Sequence, residues 1–323
     1  MHGGPFDEDR ELMQRRRDWR ARREAMEAQP SGKRWRGQMR SYLYRTARRT
    51  HDVLRPTRPV RWGAERALRL GLTELTASFP DLPAAFDGYR ILHLTDLHLD
   101  NIDGTAEAVA ERVAAVESDL CVITGDIRDN IHAPMGPLMK RLGHVVSAVR
   151  ARDGTIGVLG NHDSAAMVPP MEDLGIRVLL NETISYARGG EALHVTGVDD
   201  VHRFHTEDAR VALESAPEGF CIALVHSPEV AHVAAARHRL YLTGHTHGGQ
   251  ICLPGGRPIA MGMKANRHLA RGAWQHGDMV GYTSRGLGAC VLPFRTFCPG
   301  EVVSVTLRKG PALVVGGGRK PRS

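Results

Sequence analysis

Five short stretches of this sequence close an apolar run with residues of the kind that bind metals. They are Asp96-Leu97-His98, Gly125-Asp126, Gly160-Asn161-His162-Asp163, His226 and Gly244-His245-Thr246-His247. Singly each is weak, since an Asp after a strand commonly caps a helix and the chain has 17 histidines. Together they offer the carboxylates of Asp96 and Asp126, the amide oxygen of Asn161 and the imidazoles of His98, His226, His245 and His247. This mixed oxygen and nitrogen set suits divalent first-row metals and contains no thiolate. It is too large for one ion that must keep an open position, and it suits two ions sharing a bridging carboxylate. Such a pair clamps the attacking and leaving oxygens of a phosphoryl displacement and makes hydroxide available at neutral pH.

Donors spread from residue 96 to residue 247 can meet only if the fold brings many strand ends to one place. The strand-like runs are 89–96, 119–126, 154–163, 177–183, 191–200, 220–228, 240–247, 279–286 and 301–308. Residues 105–117 and 137–151, between the first three, have helical periodicity. Strand alternating with helix predicts an α/β domain. The shorter links towards the C-terminus predict a second, more antiparallel sheet. In open α/β sheets ligands sit beyond the carboxyl ends of the strands, where all five stretches fall. A spacing of two in extended chain would point His245 and His247 to opposite faces, so the strand must end at Gly244. Gly248 and Gly249 read as leaving room for a phosphate. His93, alternating within a strand, reads as structural.

The series DLH, GD, GNHD, H and GHTH resembles the calcineurin-like metallophosphoesterase superfamily, over about residues 88–308. Gly197-Val198-Asp199-Asp200, GHTHGGQICLP and the late SRGLG…LPFRTFCPGE further resemble its YkuE/YaeI-type bacterial phosphodiesterase branch. The resemblance implies a four-layer α/β/β/α sandwich, two mixed β-sheets packed face to face and flanked by helices. It implies that Asp96, His98 and His247 ligate one metal and Asn161, His226 and His245 the other, with Asp126 bridging. The two divalent ions would be Mn, Fe, Zn or a mixture. His162 would meet the scissile phosphate or protonate the leaving oxygen. Asp163 is expected to orient that ring, because a catalytic imidazole needs a partner that fixes its tautomer. Asp129 completes a GDxxD pattern and is expected outside the ligand set. Arg285, in a glycine-flanked turn after a strand, is the candidate substrate-binding residue. His202 and His205 read as loop histidines, and Cys252 as a packed thiol.

The implied activity is hydrolysis of a phosphodiester, phosphomonoester or pyrophosphate, on a phosphorylated small molecule, a lipid or a lipid-linked nucleotide. A protein or nucleotide phosphatase is the alternative within the same superfamily. A silent scaffold on this fold would have lost ligands, and none is missing here. Charge bears on partners. Residues 1–70 carry 19 Lys and Arg against 9 Asp and Glu, whereas the remaining 253 carry 24 against 27. A mildly acidic body disfavours nucleic acid, which needs an extended positive track.

Residues 8–28 mix Arg and Glu with few apolar positions and read as a solvated helix or disorder. Residues 34–54 interleave Trp35, Met39, Tyr42 and Leu43 with arginines. That texture suits peripheral contact with anionic lipid, a nucleic-acid contact or a helix packed on its own domain. The expected organisation is a basic N-terminal extension over 1–70, partly helical or disordered, and a linker over 71–86. A metallophosphoesterase domain over 87–310 and a flexible tail over 311–323 complete it. Five cysteines without a CxxC pattern fit reduced thiols. No apolar window is long enough to span a bilayer. A cytoplasmic monomer, at most peripheral on the inner face of the membrane, is the expectation.

Overall fold

The computed structural model describes residues 5–29, 57–260, 266–311 and 313–316, with Thr46 and Val53. Apart from those two positions, the basic aromatic segment 34–54 lies outside the described residues. The principal strands are β1 Gly71–Phe79, β2 Arg90–Leu94, β3 Leu120–Thr124, β4 Thr155–Val158, β5 Ile176–Val178, β6 Glu182–Arg188 and β7 Glu191–Gly197. They continue with β8 Phe220–Leu224, β9 Leu240–Thr243, β10 Gly272–His276, β11 Met279–Thr283, β12 Glu301–Lys309 and β13 Leu313–Gly316. The principal helices are α1 Pro5–Glu27, α2 Arg58–Ala67, α3 Thr105–Ala114, α4 Met135–Ser147, α5 Val168–Asp173 and α6 Glu207–Glu214.

One sheet has the order β13-β1-β12-β2-β3-β4-β5, the other β10-β11-β9-β8-β7-β6. The strands β2, β3, β4 and β5 run parallel in the first, as do β7, β8, β9 and β11 in the second. Antiparallel pairing in the second sheet is confined to its edge strands β6 and β10. That sheet is therefore less antiparallel than expected, because α6 between β7 and β8 and the helical turn Pro228–Ala234 between β8 and β9 provide crossovers that parallel neighbours require.

The two sheets meet through a core that includes Ile91, Val122, Ile156 and Val305 from one and Leu193, Ile222, Leu242 and Val280 from the other. Each such side chain contributes about 1.5–3 kcal/mol on burial. Helices α3 and α4 cover the outer face of the first sheet with Val109, Val113, Leu138 and Leu142. Helix α6 covers the second with Ala209 and Leu213. The result is the expected four-layer sandwich.

The domain boundaries are corrected at both ends. Residues 71–79, expected as part of a linker, form β1, which pairs with β12 from Gly71↔Glu301 to Phe79↔Lys309. Its alternating burial explains the strand: Leu75, Ala77 and Phe79 face the inter-sheet core. Residues 313–316, expected in a tail, pair with the outer edge of β1. Helix α1 is not a solvated rod, since Trp19 and Arg23 are buried against the body. Among the described residues no helix is long and apolar enough to cross a membrane.

Candidate metal centre

Asp96, Asp126 and Asn161 follow the adjacent parallel strands β2, β3 and β4, and His226 and His245 follow the adjacent parallel strands β8 and β9. All seven sequence-predicted donors therefore leave the same edge of the sandwich, where the two sheets meet. Three groups form among the described residues, Asp96 with His98 and His247, Asp126 with His226 and His245, and His98 with Asp129, His162 and Cys290, each with ligand atoms within 4.8 Å of one another. Asn161 joins the second through Oδ1, 3.2 Å from His226 Nε2. Asp126 lies between the first two, its Oδ2 3.3 Å from His226 Nε2 and 3.7 Å from His98 Nε2.

The backbone makes this possible in an uncommon way. Asp96, His98, Asp126, His245 and His247 all have φ between 39° and 70°, left-handed conformations that cost a non-glycine residue about 1–3 kcal/mol each. Inter-strand bonds hold them there. Asp96 N–H donates to Gly125 O at 2.9 Å and His98 N–H to Asp126 O at 3.1 Å. His245 N–H donates to the Asp96 carboxylate at 3.0 Å. With both φ values positive, His245 and His247 face one centre despite their spacing of two. Gly244 leaves the space, because a methyl there would overlap the Asp96 carboxylate and the Thr95 hydroxyl. Gly244→Ala is expected to fold poorly or lose Mn2+ binding, checked by metal content after gel filtration. Gly248 and Gly249 have a different task from the one expected: side chains there would meet Arg285, Arg271 and Pro258.

Hydrogen bonds orient the lone pairs. His98 Nδ1–H donates to Arg128 O at 2.9 Å and His226 Nδ1–H to Thr124 O at 2.8 Å, so each turns its Nε2 to the cluster. His98 Nε2 lies 3.1 Å from His247 Nε2, and His226 Nε2 lies 3.3 Å from His245 Nδ1. Burial, with neighbouring imidazoles adding to it, pushes His245 and His247 well below the ordinary histidine range and keeps them neutral. Burial opposes charge on Asp126, yet His226 and His162 hold its carboxyl well below the usual range. Converging lone pairs beside carboxylates fit cations. Mn2+ added to chelator-treated protein should therefore raise Tm by several degrees, from about 2.7 kcal/mol at a hundredfold excess over Kd. An unchanged melting curve would contradict a metal site here.

Asn161, His162 and His245 are half-buried, unlike the fully enclosed Asp96, His98 and His226, and mark the open side. His162 Nδ1–H donates to Asp129 O at 2.7 Å, and Nε2 lies 3.6 Å from Cys290 Sγ. The expected partnership with Asp163 is not formed. Asp163 instead accepts N–H bonds from Asp126 at 2.8 Å, Ile127 at 2.9 Å and Gly160 at 2.9 Å, joining the two loops that carry Asp126 and Asn161. Asp129 is outside the Asp96 and Asp126 groups but belongs to the third, its Oδ1 3.9 Å from His98 Nδ1, and it accepts Val291 N–H at 2.9 Å.

Arg285 makes an ion pair within the fold. Its Nη2 donates to the buried Glu301 carboxylate at 2.6 Å, an ion pair that ties the turn after β11 to β12. His202 does reach the centre: its ring stands 4.2 Å from that of His245 and its Nδ1 3.1 Å from Glu229. His93 is structural, bonded to Thr124 Oγ1 at 2.8 Å and pushed by burial down to about 3. Cys252 is a buried free thiol. Sequence reasoning missed Cys290 and Arg295, whose Nη2 lies 3.2 Å from His247 Nδ1. Neither carries a local signal, since each reaches the centre from a loop without periodicity.

Residues 89–249 match the family model described as calcineurin-like phosphoesterase. The chain is 31% identical over 251 residues to the metallophosphoesterase YkuE of Bacillus subtilis (strain 168), covering 73% of this chain and 85% of that one. It is 29% identical over 213 residues to the metallophosphoesterase YkoQ of the same organism, covering 62% and 76%. The parallel strands, the divalent-metal donor set at their ends and these relatives agree: this chain belongs to the calcineurin-like phosphoesterase family and is a metal-dependent phosphoesterase.

Proposed function

We propose that the chain binds two divalent metal ions and hydrolyses a phosphodiester. The observation that carries this reading is the place of Asp126, whose Oδ2 faces His226 of its own donor group at 3.3 Å and His98 of the Asp96 group at 3.7 Å. Asp96, His98 and His247 would hold one ion, Asn161, His226 and His245 the other, and Asp126 both. Ions held there would supply Lewis acidity and hydroxide at neutral pH. Mn, Fe and Zn all suit such a shell.

The chain's own groups do the rest. Asp163 fixes the spacing of the Asp126 and Asn161 loops through its three N–H bonds. With Nδ1–H committed to Asp129 O, His162 keeps Nε2 for the substrate, where it can pass a proton to the leaving oxygen. His202, exposed beside His245, flanks the substrate at the rim.

The test is metal content together with turnover. Mn2+-loaded protein should retain two ions per chain and hydrolyse bis-p-nitrophenyl phosphate. A screen of nucleotides, lipid-linked nucleotides and phosphoproteins then selects the substrate. One ion per chain, or turnover of p-nitrophenyl phosphate alone, would overturn the reading.

A further inference from the structure

Helix α1 precedes the segment that the family model matches, yet its last turns reach the loop that carries Asn161 and His162. Arg23 is fully buried. Its Nη2 donates to Asp163 O at 2.8 Å and to Gly160 O at 3.2 Å. Its Nη1 pairs with Asp199, and its Nε donates to Glu27 Oε1 at 3.0 Å. The Phe204 ring stacks on the guanidinium, 3.5 Å from Cζ to the ring centroid. Two neighbours extend the grip: Glu27 Oε1 also accepts Ala165 N–H at 2.8 Å, and the Trp19 indole N–H donates to Asp199 Oδ2 at 2.9 Å.

A buried guanidinium is costly unless its donors are paired, and here a carboxylate, two carbonyls and a second carboxylate take them. The two carbonyls belong to Gly160 and Asp163, the residues on either side of Asn161-His162. One nitrogen, Nη2, thus closes the turn from outside while the other arms of the planar fork hold Asp199 and Glu27, and the Asp163 carboxylate holds the turn from the Asp126 side. Lysine, a single point donor, cannot reproduce that fork.

We propose that Arg23 is a positioning residue of the metal centre: from the N-terminal helix it fixes the turn that presents Asn161 to a metal and His162 to the substrate. The proposal rests on the two-metal reading above. It gives α1 a part in the chemistry.

The test compares full-length variants by calorimetric Mn2+ titration of the chelator-treated protein and by kinetics on bis-p-nitrophenyl phosphate. Arg23→Ala should weaken one of the two Mn2+ steps by about 10–100-fold. It should lower kcat by a similar factor while KM changes less than about threefold. Millimolar guanidinium should restore part of both. Arg23→Lys should recover only a fraction, and it carries the test if the alanine variant does not fold. Arg16→Ala is the control, because Arg16 docks the same helix on Glu172 and Val178 O without touching the turn. It should leave both Mn2+ steps and kcat unchanged. Unchanged Mn2+ binding in both Arg23 variants, or an equal loss in Arg16→Ala, would overturn the proposal. A wild-type chain that binds Mn2+ but turns over no ester would instead fail the functional reading, and the Mn2+ comparison would still decide the role of Arg23.

Discussion

Mn2+-loaded Asp126→Ala is expected to lose at least about a thousandfold in kcat, equivalent to about 4 kcal/mol of transition-state stabilisation. The size follows from position. Asp126 Oδ2 faces His226 at 3.3 Å and His98 at 3.7 Å, so removing one carboxylate takes a ligand from both proposed ion sites. The neighbouring carboxylates are held elsewhere: Asp96 receives His245 N–H and faces His247, Asp163 is engaged by three N–H groups on the far side of the loop, and Asp129 accepts Val291 N–H beside His98 Nδ1. Asp126→Ala also removes the acceptor of His162 N–H at 2.9 Å, so the turn bearing the proposed proton donor loosens as well. Metal content and steady-state kinetics check the expectation. Two retained ions with wild-type turnover would show that Asp126 bridges nothing.

The second large effect falls on stability. Asp163→Ala leaves the N–H groups of Asp126, Ile127 and Gly160 buried without an acceptor, at about 1–3 kcal/mol for each unpaired donor. Some relaxation is available, so a loss of about 3–5 kcal/mol in urea unfolding is the expected result. Asp163→Asn keeps one acceptor oxygen and should lose about half of that. The pair of variants also separates two roles for this residue. If Asp163 served the His162 ring, Asp163→Ala would cut turnover with little change in unfolding midpoint. The observed bonds predict the reverse order: a lower midpoint first, with activity falling because the Asp126 and Asn161 loops drift apart.

The identity of every candidate ligand was legible in the sequence, because ligand chemistry is a property of side-chain type and five clusters at strand ends are distinctive. The strand and helix pattern was legible for the same reason, since alternation and helical spacing follow from burial. What could not be read was the conformation that makes the clusters converge. Five of the seven donors sit at positive φ; they are Asp and His, which reach such a backbone more readily than most non-glycine residues, yet even for these types it is the exception and cannot be read from residue type alone. That strain is stabilised by bonds to Gly125 O and Asp126 O and by the Asp96 carboxylate, groups far away in sequence.

Errors at the ends of the chain have a related cause. Arg23 and Trp19 look like part of a charged, solvated stretch, and only contacts with Asp199, Gly160 and Asp163 about 140–180 positions away give them a buried surface. Likewise β1 reads as an ordinary approach to the first domain strand until β12, from the other end of the chain, pairs with it in parallel.

Side-chain type and order along the chain already carried the candidate donors, the alternation of strand and helix and the class of reaction. Which candidate donors share a space, and which partners orient them, depends on contacts between segments far apart in the chain. His162 is oriented by the carbonyl of Asp129 and not by the carboxylate of its neighbour Asp163; Arg285 pairs with Glu301; Arg23 holds two backbone oxygens of the turn that bears Asn161 and His162. A backbone carbonyl is the same group in every residue, so no residue type marks the one that will be used. Its role exists only once the fold has carried a donor to it.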